Sequence, residues 1–116
     1  MAFRQFLVPE YHEFIDALGT APETVEGETA QRLSLEAYGE AMVLTFDVTG
    51  RSVHCLWSRG ERVLSEIFQE GATLLRVEDS EKGAQLSVDL ETDASRGQLL
   101  LTVAPKFGIY SRILLR

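Results

Sequence analysis

Residues 39–58, GEAMVLTFDVTGRSVHCLWS, decide the fold, because two hairpins can be laid through them without conflict. Met42, Leu44, Phe46 and Val48 alternate with Val43, Thr45 and Asp47, and the alternation resumes at Val53, Cys55 and Trp57. Period two marks half-buried strands. A turn at Thr49-Gly50 sets Phe46 against Val53, Leu44 against Cys55 and Met42 against Trp57. Asp47-Val48-Thr49-Gly50 also reads as a type I turn with Gly50 in the left-handed site, which admits a three- or four-residue loop. A three-residue loop would slip the register by one and waste apolar contacts worth roughly 1.5–3 kcal/mol each. Misplacing a threonine costs about 1–2 kcal/mol. Packing outweighs turn preference, so the expected loop has two or four residues. Upstream, Gly39-Glu40 reads as a two-residue turn that sets Ala37 against Met42, Leu35 against Leu44 and Leu33 against Phe46. One face of this meander is apolar. The other carries Ser34, Glu36, Tyr38, Val43, Thr45, Asp47, Ser52, His54 and Leu56, with Val43 beside Leu56, and we expect it to be covered.

Working outward, Phe3, Phe6, Leu7 and Val8 fit either an edge strand or an unstructured arm. Pro9 then suits the first turn of a helix, and Tyr11, Phe14, Ile15 and Leu18 follow at helical spacing before Gly19. We expect a helix over 9–18 and an acidic surface loop over 20–30. The nine glycines fall between periodic stretches, as in a chain of short strands. One interval differs. Val63, Leu64, Ile67 and Phe68 make a helical stripe, which predicts a short second helix over 61–70. From 72 the meander resumes, with loops at Ser80–Gly83 and Asp93–Arg96 pairing Val77 with Leu86, Leu75 with Val88, Leu90 with Leu99 and Val88 with Leu101. Pro105 and Gly108 favour a strand for the tail. The expected architecture is one α+β domain over 1–116, with six or seven antiparallel strands in two meanders (31–58 and 72–115). A curved sheet or partly open barrel with helices closing one side is the favoured form.

Composition bounds the function. A content of 45% hydrophobic residues is ordinary for a globular chain, and the lone cysteine excludes an internal disulfide or a zinc site built on several thiolates. No apolar run reaches the length of a membrane span, and MAFRQFLVPE lacks a long hydrophobic core and a cleavage site, so a cytoplasmic location is expected. The net charge of -7 argues against nucleic acid or an anionic membrane as partner. Its distribution is uneven. Glu10, Glu13, Asp16, Glu23, Glu26, Glu28, Glu36 and Glu40 face Arg32 alone, an excess equal to the whole net charge, whereas Lys106, Arg112 and Arg116 close the chain without an acid.

The candidate chemistries are weak. His12, Glu13 and Asp16 form a degraded zinc-helix pattern without its second histidine, and we read them as a solvated helix face. His54 and Cys55 are adjacent, but on a strand they point to opposite faces, so they cannot be nucleophile and base, and Cys55 reads as core. Asp47, Ser52, His54 and Thr45 share a face without a nucleophile elbow or oxyanion-hole sequence. Asp79 to Gly83 breaks the calcium-loop pattern and reads as a hairpin turn. No cofactor-binding motif is present, and we expect no cofactor and no metal. Trp57 reads as core, or as the floor of a ligand cavity if the sheet curls.

The acidic excess remains. It keeps a protein soluble, and concentrated on a small domain it also steers association with a basic protein. Acidic domains of this size commonly act as inhibitors, as immunity proteins against toxins that attack nucleic acid, or as secretion chaperones. The order helix, three strands, helix, strands is similar, in that coarse pattern alone, to type III secretion chaperones. We therefore expect a non-enzymatic domain that docks a basic protein through the eight acids from Glu10 to Glu40, with Tyr38, Val43 and Leu56. The alternatives are a ligand-binding protein or enzyme with a cavity near Trp57, and a homodimer joined through the second sheet face.

Overall fold

The structure, a computed structural model, describes residues 5–115. Phe3 and Arg116 lie outside them. The described residues form one helix, α1 (Tyr11–Leu18), and nine strands: β1 (Glu23–Thr24), β2 (Ala30–Ala37), β3 (Glu40–Asp47), β4 (Ser52–Arg59), β5 (Arg62–Glu70), β6 (Ala72–Ser80), β7 (Gly83–Glu91), β8 (Ser95–Thr102) and β9 (Gly108–Leu115). They make two antiparallel meanders, one sheet in the order β1-β2-β3-β4-β5 and the other in the order β6-β7-β8-β9. The chain passes from one to the other at Gly71, where the N–H groups of Gly71 and Ala72 both donate to the Arg51 carbonyl at 3.0 and 2.9 Å.

The expected curved sheet or barrel is replaced by two sheets whose inner faces pack into one core. Leu33, Leu35, Met42, Leu44, Phe46, Val53 and Cys55 from the first sheet meet Leu75, Leu86, Val88, Leu90, Leu99 and Leu101 from the second. A sandwich needs no helix to cover its inner face. Helix α1 instead packs against β6 and inserts Phe14, whose ring stacks on Phe46 at 6.0 Å while Phe6 meets Phe46 edge-on at 6.5 Å. Gly19, at φ 75, ends the helix with its N–H on the Ile15 carbonyl. The N-terminal apolar segment resolves as a bridge, since Leu7 pairs with Leu74 along the edge of β6.

The central hairpin has the expected register, with Met42 opposite Trp57, Leu44 opposite Cys55 and Phe46 opposite Val53. Its loop has four residues, Val48 to Arg51, and the left-handed position falls on Arg51 (φ 51), with Gly50 outside it. Asp47 explains the shift: its Oδ1 accepts the N–H groups of Thr49 and Gly50 at 3.0 and 3.1 Å, holding the first half of the loop. The preceding turn is Tyr38-Gly39 rather than Gly39-Glu40, so Leu35 faces Met42 and Leu33 faces Leu44. Both turn residues have positive φ, 61 at Tyr38 and 73 at Gly39. That conformation suits the twist of a two-residue hairpin and is costly for a tyrosine. The slip is two residues, so the buried face is unchanged.

The predicted helix over 61–70 is strand β5. Trp57 pairs with Ser65 and Ser58 with Val63, which leaves Leu64 bulged out of the ladder. That extra residue puts Val63 and Leu64 side by side in an alternating strand, and the edge position leaves Phe68 exposed on its outer side. A helical stripe results from a bulge. With β5 a strand, the order helix, three strands, helix, strands no longer holds, and with it goes the likeness to secretion chaperones. The count rises from six or seven strands to nine, because β5 replaces the expected helix and β1 forms inside the expected loop 20–30, with Glu23 opposite Arg32.

In the second sheet, Val77 faces Leu86 and Leu75 faces Val88 as expected, around a two-residue turn at Glu81-Lys82 rather than a four-residue loop. The β7–β8 register differs by two, with Val88 opposite Leu99 and Leu86 opposite Leu101. Ser95 closes that loop one residue earlier, its N–H donating to Thr92 Oγ1 at 3.1 Å. Gly97 is then placed against β9, where a Cβ would stand 2.4 Å from the Arg112 carbonyl. The tail is a strand, β9, paired with β8 along its length.

Candidate partner-binding site

The eight acids separate by what they hold. At the start of α1, the Glu10 N–H donates to Glu13 Oε2 at 2.6 Å, a capping arrangement that ties both residues to the helix end. Asp16 is exposed on the same helix. Glu23, Glu26 and Glu28 are exposed along β1 and the turn that leads into β2, next to Arg32. Glu36 stands on the outer side of β2. Glu40 is different. Its position on β3 points it inward at the end of the sandwich, where Oε1 accepts the Trp57 indole N–H at 2.9 Å and Oε2 accepts Arg59 Nε at 3.1 Å and Arg59 Nη2. The indole first, then the Arg59 guanidinium, hold its carboxyl below the ordinary carboxylate range.

The apolar part of the predicted surface divides as well. Val43 and Leu56 face each other across β3 and β4 on the outer side and are half-buried. Tyr38 is not with them. Its hydroxyl donates to the Val103 carbonyl at 3.1 Å and its ring meets Phe107 edge-on at 5.5 Å, both residues of the segment that joins β8 to β9.

Beside Val43 and Leu56 the outer face of the first sheet holds residues that the helical reading of 61–70 concealed. Glu66 lies opposite Leu56 and Phe68 opposite His54, and His54 Nε2 is 2.7 Å from Glu66 Oε2. Phe68 is 58% exposed, large for an aromatic side chain beside charged neighbours. The alternation Glu66, Phe68, Glu70 was the signal available for this face. The arrangement is an apolar centre, Val43, Leu56 and Phe68, with Glu36, Glu66 and Glu70 around it.

The same face does not assemble a hydrolytic site. Asp47 is committed to its turn and to Thr29, whose hydroxyl donates to Oδ1 at 2.7 Å, and that bond and the Gly50 N–H lower its pKa. Cys55 lies on the opposite, buried side, and burial pushes its thiol up to about 12. Among the described residues no cluster of three or more His, Cys, Asp or Glu could hold a metal ion, and no helix is long and apolar enough to cross a membrane.

No protein-family model matches the sequence, and no curated protein matches it. A solved structure does resemble it: a chain of the contact-dependent growth inhibition toxin–immunity protein complex from Klebsiella pneumoniae 342. The likeness covers 97% of this chain and 100% of that one, with a TM-score of 0.82 and 12% identical residues. At that identity the two share a fold, and the sandwich with its single helix is therefore an architecture found in a toxin–immunity complex.

Proposed function

We propose that this chain is a non-enzymatic, immunity-type domain that binds and neutralises a basic protein toxin. The observation that carries the reading is the end-to-end likeness in fold to a chain of a toxin–immunity complex. Charge supports the immunity side of such a pair. A net charge of -7 matches a partner that must itself attract an anionic target, and an acidic domain that covers such a surface competes directly with that target. The side chains with catalytic potential also support it, since the Cys55 thiol is buried and Asp47 is spent on a turn.

The docking surface in this reading is the exposed acid of the first sheet: Glu23, Glu26 and Glu28 steer the approach, and Val43, Leu56 and Phe68 supply the apolar contact within the ring of Glu36, Glu66 and Glu70. Glu40 adds little to steering because Arg59 neutralises it, whereas the exposed Glu10 and Glu13 keep their charge at the start of α1. Asp16 on α1 adds to the field. The test is a growth assay. The protein retained by this chain from lysate of its own organism at low salt is expressed alone and then together with this chain. Arrest that is relieved by co-expression is the expected result; a captured protein that does not impair growth, or whose toxicity persists, contradicts the reading.

A further inference from the structure

At the end of the sandwich where the Tyr38-Gly39 turn meets the start of β9, a cleft of about 420 Å³ opens beside Trp57. Four rings line it, those of Tyr38, Trp57, Phe107 and Tyr110, together with Arg59 and Lys106. Two of its walls are tied by contacts to other parts of the chain. Tyr38 is held in a positive-φ turn by its bond to the Val103 carbonyl and its edge contact with Phe107, and Trp57 is tied through its indole N–H to Glu40. Tyr110 lies over the bare backbone of Gly108, where a Cβ would come within 3.1 Å of the ring. A strained turn residue that builds a cleft wall is a common mark of a binding site.

The polar groups decide what such a cleft would take. Glu40 is its carboxylate, and both oxygens are already occupied by Trp57 and Arg59, so it has little left to offer a cation. Its side chain is 10% exposed, whereas that of Arg59 is 66% exposed, with Nη1 unused. Lys106 and the Tyr110 hydroxyl have no hydrogen-bond or ion-pair partner among the described residues. What remains are donors, two of them cationic, around flat apolar walls. A volume of this size suits a small molecule that stacks on rings and is oriented by a few polar groups.

We propose that this cleft is a binding site for a small planar aromatic carboxylate, its ring packed among Tyr38, Trp57 and Phe107 and its carboxylate taken by Arg59, Lys106 and the Tyr110 hydroxyl. The site goes beyond the immunity reading and rests on none of the same residues. Because Trp57 is the sole tryptophan, its indole N–H gives one resolved signal in a ¹H–¹⁵N correlation spectrum, positioned in the cleft. The probes are indole-3-acetate and its neutral isostere indole-3-acetamide, titrated into the intact protein. A saturating shift of that signal with the acetate, at an affinity roughly tenfold tighter than with the amide, is expected from charge-assisted bonding. Lys106→Gln should weaken the acetate roughly 5- to 10-fold and Tyr110→Phe by less, each leaving the remaining amide signals in place. Equal affinity for acetate and amide, no saturable shift at millimolar probe, or undiminished binding by Lys106→Gln would overturn the assignment.

Discussion

Strand β3 and the loop that precedes β2 are both acidic, and their acids do opposite things. At one end of β3, Glu40 gathers Trp57 and Arg59; at the other, Asp47 closes a turn and holds Thr29. Glu23, Glu26 and Glu28 gather nothing that would be lost with them and stand in solvent. Counting charges along a sequence treats these residues alike. Under the proposed reading, the acids that stay in solvent, those of the loop and the outer sheet face foremost, are the ones that would meet a partner.

The contrast makes graded predictions. The largest effect should come from the middle of β3, where Phe46 is buried between Phe6 and Phe14: Phe46→Ala should cost about 3–5 kcal/mol, read by denaturant unfolding. At the end of the strand, Asp47→Ala removes three hydrogen bonds from an exposed loop and should cost about 1 kcal/mol, since solvent screening discounts them. A loss below the error of the measurement would mean that Asp47 belongs with the free acids. Glu40→Gln should lower the melting temperature and shift the emission of Trp57, while Glu26→Gln should do neither.

Acid titration separates the two regions in a second way. The carboxyls of Glu40 and Asp47 are held below their ordinary values of 4.5 and 3.8, so the folded state binds their protons less readily than the unfolded chain does. Their contribution is complete above those values and is lost as pH falls through and below them. Thermal unfolding followed from pH 7 downward should therefore give a flat profile that drops in the acid range, and Asp47→Asn should shallow the drop. An unchanged profile in that variant would contradict the assignment. The smallest effect belongs to the loop: Glu23→Lys, Glu26→Lys and Glu28→Lys together should change stability by no more than about 0.5 kcal/mol each.

How much of this was legible in the sequence follows the same division. The β3–β4 register could be read because three apolar pairs demand it and a one-residue slip would expose them all. Cys55 could be placed in the core for the same reason. The strand β5 could not, because its bulged Leu64 mimics a helical stripe. The Tyr38-Gly39 turn was hidden because its tyrosine occupies a conformation that local preference opposes, and what holds it there, Val103 and Phe107, is more than sixty residues distant. Long-range contacts likewise concealed the inward turn of Glu40; a cavity near Trp57 was expected only inside a curled sheet, and the cleft lies instead at the end of the sandwich. The acidic excess was visible as a number, but which acids remain available depends on which N–H groups and cations the fold sets beside them.

Whether the free acids steer a partner is tested most directly by the association rate of the triple loop variant with the protein captured from lysate. At low ionic strength, reversing Glu23, Glu26 and Glu28 should slow association about tenfold or more, and the difference should shrink as salt is added, with the folded state intact. An association rate equal to that of the parent protein at low salt would contradict the account.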